Sequence, residues 1–298
     1  MEGAHKMHAA AQNGTENFVW PYVQPPVFES FWFENFNVAK CKEWMEDNWT
    51  ISIYICVAYL LMIFGGRKYM ENRRPFNLQI PLALWNLGFA VFSVMGLWRC
   101  TPELWYVLQG PDGFHRSVCV RDYHNQPAAF WAWAFTLSKV FELGDTAFVI
   151  LRKKHLLFVH YYHHGVALMI CWCFYSDYEP IFRYFGICNY FVHTILYGYL
   201  FLKAIGVTMP RVFTKCIISL ELLQMVVGVL VNLYAIWVKV NGQQCDHRTE
   251  GIVYQMLLYL SFVVLFIYLF KSSSAHKKSS LNGSCTSNNN GFVAKKLS

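Results

Sequence analysis

The chain has 298 residues, of which 55% are hydrophobic and 18% aromatic, and only 14% are charged. Soluble domains carry about 25% charged residues, so this composition excludes an ordinary water-soluble domain. The formal net charge is +7. The basic residues lie in clusters between apolar runs, which indicates membrane topology rather than a nucleic-acid partner.

Residues 1–48 precede the first apolar run and are expected to form an N-terminal segment outside the bilayer. Residues 1–30 contain acids and prolines and no apolar core, which excludes a signal peptide. Residues 28–47 carry aromatic side chains among acids and lysines, a pattern typical of a short interfacial helix. Asn13-Gly14-Thr15 is a glycosylation sequon, so Asn13 is a candidate site if this segment is lumenal.

Seven apolar runs are candidates for spanning helices, which need about 20 residues each; the first is short, and Trp49 and Thr50 are expected to extend it. They predict an all-α integral membrane protein with seven transmembrane helices, within a membrane domain over residues 49–271. The third run carries Lys139, Glu142 and Asp145 and is the least apolar of the set. The predicted spans are 51–66, 76–98, 128–151, 156–175, 181–205, 212–238 and 251–270.

The loops between these runs differ in basic residues, and the difference predicts an orientation. Basic loops face the cytosol, which places the C-terminus there and, with an odd number of spans, the N-terminus in the lumen. Cys119 and Cys245 would then face the oxidising lumen, either bonded to each other or as free thiols. The predicted cytosolic clusters are Arg67, Lys68, Arg73 and Arg74; Arg152, Lys153 and Lys154; Lys203, Arg211 and Lys215; and Lys271, Lys277 and Lys278.

Residues 272–298 form the predicted cytosolic tail. The segment is rich in Ser, Asn and Lys, a composition that favours disorder. It ends Lys295-Lys296-Leu297-Ser298, with lysines at the two places that a dilysine signal for the endoplasmic reticulum requires. A basic end that arose by chance is the alternative.

The fourth predicted span carries His160, His163 and His164. Positions i, i+3 and i+4 share one face of a helix, so the three imidazoles project together. Ionisable groups inside a span are costly and are site candidates by default. Three on one stripe therefore predict a functional site rather than a structural one.

Three further spans carry polar stripes. An ion pair, a hydrogen-bonded core histidine or polar contacts between helices are the structural alternatives to a site. Together the four spans predict one polar chamber in the membrane. At its cytosolic mouth Arg152, Lys153 and Lys154 would bind phosphates or serve topology alone. The three stripes are Lys139, Glu142, Asp145 and Thr146 on the third span, Asn189, His193 and Tyr197 on the fifth, and Glu221 and Gln224 on the sixth.

Imidazoles beside carboxylates allow two kinds of catalysis. Membrane di-iron desaturases and hydroxylases use similar histidine boxes, but they need more ligands than the four histidines that cluster in these spans; a single zinc stays open. Without a metal, a neutral imidazole can attack a thioester and form an acyl-imidazole while a neighbouring histidine moves the proton.

In chain order, the stripes resemble the motifs of the very-long-chain fatty acid elongase family, the membrane 3-oxoacyl-CoA synthases. The resemblance covers about residues 30–271. Leu196, Leu200 and Glu221 depart from the family pattern. KxxExxDT is matched by Lys139, Glu142, Asp145 and Thr146; HxxHH by His160, His163 and His164; NxxxHxxMYxYY by Asn189, His193, Tyr197 and Tyr199; and TxxQxxQ by Gln224.

The resemblance implies six of seven helices around a substrate tunnel that is closed at its lumenal end. It implies that His163 takes the acyl group and releases CoA, after which malonyl-CoA loses CO₂ and attacks the acyl carbon to give a 3-oxoacyl-CoA. His193 would assist from across the chamber. The remaining catalytic candidates, which would hold the constellation, are His160, His164, Glu142, Asp145 and Lys139; the substrate-binding candidates are Asn189, Tyr197, Gln224, Arg152, Lys153 and Lys154.

The resemblance also implies partners. The substrates would be acyl-CoA and malonyl-CoA, no metal or organic cofactor would be needed, and a separate 3-oxoacyl-CoA reductase, a dehydratase and an enoyl reductase would complete the cycle. The segment Phe64-Gly65-Gly66-Arg67 looks like the subgroup that acts on saturated and monounsaturated chains, such as palmitoyl-CoA. The polyunsaturated subgroup usually has Gln where this chain has His155.

Two other functions stay open at this stage. One is a metal-dependent membrane fatty acid desaturase or hydroxylase. The other is a non-enzymatic seven-helix lipid receptor or transporter, which would bind a ligand without turnover. The sequence also leaves open whether the chain forms a homo-oligomer.

Overall fold

The computed structural model describes residues 28–121 and 125–286, so the predicted sites at Asn13 and Lys295-Lys296 lie outside the described residues. Secondary structure in the described ranges is entirely helical. A 3-10 helix, Trp32–Glu34, comes first. The α-helices are α1 (Val38–Asn48), α2 (Ile51–Met70), α3 (Gln79–Gln109), α4 (Gly113–Cys119), α5 (Gln126–Glu142), α6 (Gly144–Leu151), α7 (Phe158–Phe174), α8 (Phe182–Ala204), α9 (Arg211–Val240) and α10 (Thr249–Thr286).

Five of these helices are long and apolar enough to cross a membrane: α2, α3, α8, α9 and α10. The predicted third and fourth spans are helical too, but they fall short of this measure. The third is divided into α5 and α6 at Leu143, and α7 has 17 residues. The protein is therefore an integral membrane protein with multiple spans. At its C-terminal end α10 continues past Ser272, where the composition favours disorder.

The helices pack in a closed circuit. Contacts run from α7 to α5, then to α3, α8, α9 and α10, and from α10 back to α7, while α2 packs against α6 and α7. The α3–α8 contact depends on Gly96, because a Cβ there would lie 2.3 Å from the ring of Tyr190. Tyr190 is buried and donates from its hydroxyl to the carbonyl of Trp131 on α5 at 2.8 Å, which ties α8 to α5 as well.

Covalent and ionic links join the loops at one end of this circuit, the end at which α7 finishes. A disulfide joins Cys119, at the end of α4, to Cys245 in the loop between α9 and α10. Beside it the backbone N–H of Asp246 donates to the Cys119 carbonyl at 2.8 Å. In the same region His247 pairs with Glu179, and both side chains are buried.

The segment before α1 is anchored by Glu34. Its carboxylate accepts two hydrogen bonds from Arg99 of α3, at 2.8 and 2.6 Å, and one from the indole N–H of Trp131 at 2.8 Å. Burial raises the pKa of the Glu34 carboxyl, but these bonds and one from the backbone N–H of Phe31 outweigh burial and hold the pKa below its ordinary value.

Candidate active site

A buried ionic network joins α5 to α8. The ammonium of Lys139 donates to Glu142 Oε1 at 2.7 Å and to Asn189 Oδ1 at 3.0 Å. Lys139 is 4% exposed and Glu142 2% exposed. A charge removed from water requires a partner of opposite sign and hydrogen bonds to its remaining atoms. Lys139 and Glu142 therefore neutralise each other, as one alternative anticipated, and Asn189 extends the network to the next helix.

This network assigns the tautomer of His193. Asn189 accepts the hydrogen bond from Lys139 on Oδ1, so its Nδ2 is the donor, and that atom lies 3.2 Å from His193 Nε2. A nitrogen that accepts a hydrogen bond carries no proton, so the neutral ring keeps its proton on Nδ1. His193 Nδ1 in turn faces Glu142 Oε1 at 3.9 Å. Lys139 thus acts on His193 through Asn189.

Glu142 also faces the histidines of α7. Its Oε2 lies 4.0 Å from His164 Nδ1. This oxygen is buried and has no hydrogen-bond partner among the described residues. The carboxylate therefore lies between His164 and His193 without a full hydrogen bond to either ring, since 4 Å exceeds hydrogen-bond length.

A second network, on α6, orients the first histidine. The Thr146 hydroxyl lies 3.0 Å from His160 Nε2 and 2.6 Å from the hydroxyl of Tyr59 on α2. His160 then packs edge-on against His164, with ring centroids 4.6 Å apart. The predicted face of three imidazoles is present, and Thr146 fixes one end of it.

Asp145 lies beside this network and is fully engaged by hydrogen bonds. Trp85 of α3 donates from its indole N–H to Asp145 Oδ1 at 2.6 Å, and Tyr197 of α8 donates from its hydroxyl to Asp145 Oδ2 at 2.6 Å. Tyr197 is buried, and its ring stacks on Phe89 at 4.8 Å. Asp145 and Tyr197 therefore hold α3, α6 and α8 together.

His163 is placed differently from the other three histidines of the site. Its ring lies 4.9 Å from that of Phe262 on α10 and 5.4 Å from that of His164. Among the described residues nothing forms a hydrogen bond with its nitrogens. It lines a cavity of about 80 Å³, together with Lys139, Asn189 and Gln224. Among the described histidines of the site, His163 alone combines ring nitrogens without hydrogen bonds and a position in the cavity wall.

Apolar and aromatic side chains form most of the cavity wall below this polar group. The wall follows α7 from His163 to Phe174, a distance of about 16 Å along a helix. Such a wall suits a long hydrocarbon chain whose polar end lies at His163. The other lining residues are Phe135, Ala167, Ile170, Cys171, Phe182, Phe185, Met225, Gln255, Leu258, Tyr259 and Phe262.

Comparison with known proteins identifies the family. The profile of the GNS1/SUR4 family (ELO) matches residues 44–282. The chain belongs to this family. It is 42% identical to very long chain fatty acid elongase 6 of Drosophila melanogaster, over 83% of this chain and 80% of that protein. It is 40% identical to elongase 6 of Homo sapiens, over 80% and 89%, and 38% identical to elongase 3 of Homo sapiens, over 79% and 87%.

Membership of the GNS1/SUR4 family makes the chain a fatty acid elongase, a multi-pass membrane protein. The networks and the cavity are therefore the candidate active site for fatty acid elongation. Among the described residues no group of three or more His, Cys, Asp or Glu side chains is arranged to hold a metal ion.

The basic residues predicted to bind phosphate lie in the turn between α6 and α7. Lys153 donates to the backbone carbonyls of Glu71 and Arg73, at 3.0 and 3.1 Å, and so holds this turn against the loop between α2 and α3. Lys154 is exposed and Arg152 is half-buried. The turn precedes α7 and therefore lies at the end of the helix bundle opposite the disulfide.

Sequence reasoning missed Tyr59, Trp85 and Ser138. Tyr59 and Trp85 come from α2 and α3, helices in which aromatic residues are so frequent that neither stands out. Ser138 donates from its hydroxyl to Glu142 Oε1 at 3.1 Å and precedes the polar stripe directly. Its position beside Lys139 was the available signal.

Proposed function

We propose that the protein condenses a long-chain acyl-CoA with malonyl-CoA to give 3-oxoacyl-CoA, CO₂ and CoA, the first step of fatty acid elongation. The observation that carries this proposal is His163, an imidazole without a hydrogen-bond partner among the described residues, at the polar end of an apolar cavity. A nucleophile must reach its substrate with a free lone pair. The other site histidines face hydrogen-bonding or charged groups.

The first half-reaction transfers the acyl group to His163. A ring nitrogen attacks the thioester carbonyl, a C–N bond forms and the C–S bond breaks. The proton of the imidazole goes to the departing thiolate, which gives an acyl-imidazole and free CoA. Lys139 has three donors and uses two of them on Glu142 and Asn189. The ammonium also lies 3.9 Å from the centre of the Phe135 ring in the cavity wall. Its third donor would stabilise the oxyanion of the tetrahedral intermediate, assisted by Gln224.

The second half-reaction forms the new carbon–carbon bond. Malonyl-CoA loses CO₂, and the resulting enolate carbon attacks the acyl carbon while the C–N bond to His163 breaks. The imidazole recovers one proton from water, so each turnover consumes one proton. His193, held in one tautomer by Asn189, would orient the malonyl thioester. The apolar wall would keep water from the acyl-imidazole.

The same proposal covers location and substrates. The six-helix circuit would enclose the acyl tunnel, and α2 with α3, α5–α6, α7, α8, α9 and α10 would make seven spans. The chain would lie in the endoplasmic reticulum with a lumenal N-terminus, a glycosylated Asn13 and a cytosolic C-terminus. CoA phosphates would bind near Arg152 and Lys154. Saturated and monounsaturated chains would be preferred, no cofactor would be needed, and separate reductase, dehydratase and enoyl reductase enzymes would complete the cycle.

The deciding experiment uses purified protein, palmitoyl-CoA and labelled malonyl-CoA without added metal. We expect labelled 3-oxoacyl-CoA from the wild type and a loss of at least about a thousandfold in kcat for His163→Ala. With labelled palmitoyl-CoA alone, wild type should release CoA and gain a palmitoyl group on the peptide that contains His163. The matched control is His155→Ala, because His155 is an exposed histidine that precedes α7 and does not line the cavity. Full activity in His163→Ala would refute the assigned nucleophile.

A further inference from the structure

A second cavity adjoins the first and is separated from it by two phenylalanine rings. It is small, about 30 Å³, and lies between α3, α5 and α8. Phe135 and Phe182 line both cavities. The remaining lining residues of the second cavity are Cys100, Glu103, Ala128, Ala132, Arg183, Gly186, Ile187 and Tyr190.

Phe135 and Phe182 act as a partition. Their rings meet edge to face with centroids 5.7 Å apart. Phe135 is 4% exposed and lies on the middle of α5, where its ring also contacts Tyr190. Phe182 is the first residue of α8. Each ring therefore forms wall for both cavities, and removing either one would join them.

The walls of the second cavity suit a hydrocarbon. Ala128, Ala132 and Gly186 leave space, and Ile187 adds apolar surface. The two charged groups in the wall already have partners, since Arg183 Nε donates to both oxygens of Glu103 at 2.9 and 3.0 Å. The apolar end of an acyl chain would contact small side chains there, and its entry would not bury an unpaired charge.

We propose that this second cavity is a closed extension of the acyl site, and that Phe135 and Phe182 set the longest acyl chain the protein elongates. The inference rests on the proposed condensation at His163. A chain held there runs along the wall of the first cavity toward Phe174, Phe182 and Phe135. Additional methylenes would contact the two rings of the partition. A longer chain would then be disfavoured, because moving a packed aromatic ring loses its contacts.

The test compares acyl-CoA substrates from 14 to 22 carbons in wild type and Phe182→Ala, with kcat/KM measured for each. One methylene too many in a closed pocket changes kcat/KM by about 10-fold or more. We therefore expect a steep fall in wild type beyond one chain length. In Phe182→Ala the fall should move to longer chains, and the ratio of the first rejected chain to palmitoyl-CoA should rise at least about tenfold.

Two further variants separate a specific opening from general loosening. Phe92→Ala removes a ring from the same aromatic cluster, where it contacts Trp131 and Tyr190, but Phe92 lines neither cavity. It should keep the wild-type profile. Ala132→Leu fills the second cavity from α5, so the double variant Phe182→Ala/Ala132→Leu should return the chain-length limit toward that of wild type.

The outcomes are distinguishable. If wild type forms no 3-oxoacyl-CoA from any chain, the proposed condensation fails. If wild type is active and Phe182→Ala keeps the wild-type limit, or Ala132→Leu does not reverse its shift, the partition is refuted and the condensation stands. Should Phe182→Ala fail to fold, Phe182→Leu decides in its place, since it keeps most of the packing and still opens part of the wall.

Discussion

Asn189 links a charged pair to a histidine, and this link can be tested with a change of one functional group. In Asn189→Asp the side chain keeps its size and still accepts from Lys139, but it has no N–H for His193 Nε2. His193 would then turn its proton to Nε2 and present a lone pair to Glu142. A wrong tautomer costs about 10⁴-fold in a serine protease triad; here we expect kcat to fall at least about a hundredfold, with KM for palmitoyl-CoA little changed.

The matched control for this variant is Asn232→Asp. Asn232 is also fully buried in a span, where its Nδ2 donates to the Gly228 carbonyl at 2.8 Å, within α9. Both variants place an acid in a helix of the bundle, so both should lower thermal stability. An equal loss of kcat in the two would mean that the effect comes from the buried acid and not from the histidine tautomer.

At this scale the sequence predicted which polar side chains share a helix face but not all of their contacts. The HxxHH spacing correctly placed three imidazoles on one stripe, because that spacing is a property of the helix itself. The partners of Asp145 could not be predicted. Trp85 lies 60 residues before it in the chain, and only tertiary packing brings the two together. Tyr197 was predicted to bind substrate, whereas the structure places its hydroxyl on Asp145.

Among the helices, the interruption between α5 and α6 lies between the residues of two polar networks. The sequence predicted one continuous span over 128–151. The structure ends α5 at Glu142 and begins α6 at Gly144. After Leu143, Asp145 binds Trp85 of α3 and Tyr197 of α8, whereas before it Lys139 and Glu142 form the network that reaches Asn189 of α8. Glycine at position 144 allows Trp85 to approach the helix, because the indole occupies the space that a side chain at this position would need.

Gly144→Ala tests this close approach. The added Cβ would lie 2.7 Å from Trp85 Cζ2 and 2.9 Å from Cη2, so the indole must move and its bond to Asp145 must lengthen or break. Overpacking of this kind costs about 1–3 kcal/mol of stability. We expect a lower melting temperature in detergent and a lower kcat, both measured on the purified protein.

Gly88→Ala is the control for that variant. Gly88 lies on α3, one turn from Trp85, and a Cβ there meets nothing within 4 Å. Alanine is a better helix former than glycine by about 1 kcal/mol, so stability should hold or rise. If Gly144→Ala behaves in the same way, the contact with Trp85 is not what requires glycine.

Over the whole molecule, the helix circuit is closed twice, by packing and by a covalent bond. Packing closes it where α10 meets α7. The disulfide closes it at the loops, since Cys119 and Cys245 are 126 residues apart in sequence. The sequence named these two cysteines as a candidate pair on the same side of the membrane, and the structure confirms the bond. The sequence alone left bonded and free thiols open, because connectivity depends on which loops the packing brings together.

Removal of the disulfide should therefore loosen one end of the circuit. Cross-links over long loops contribute about 2–5 kcal/mol in small secreted domains. We expect less here, because the Asp246 N–H bond to the Cys119 carbonyl and the Arg121 N–H bond to the Asp246 carboxylate, both at 2.8 Å, still hold the loops together. Cys119→Ser and Cys245→Ser should lower the melting temperature equally, and the double variant should lower it no further, since both changes remove one bond.

The same measurement has an internal control in Cys188, a free thiol on α8. Cys188→Ser keeps the disulfide, so a reductant should still lower the melting temperature of this variant. Cys119→Ser has no disulfide to reduce, so a reductant should leave its melting temperature unchanged. Additive losses in the double variant would show that the two cysteines stabilise the protein separately. Because the disulfide lies at the end of the bundle opposite the turn before α7, elongation of palmitoyl-CoA should persist in Cys119→Ser below its melting temperature.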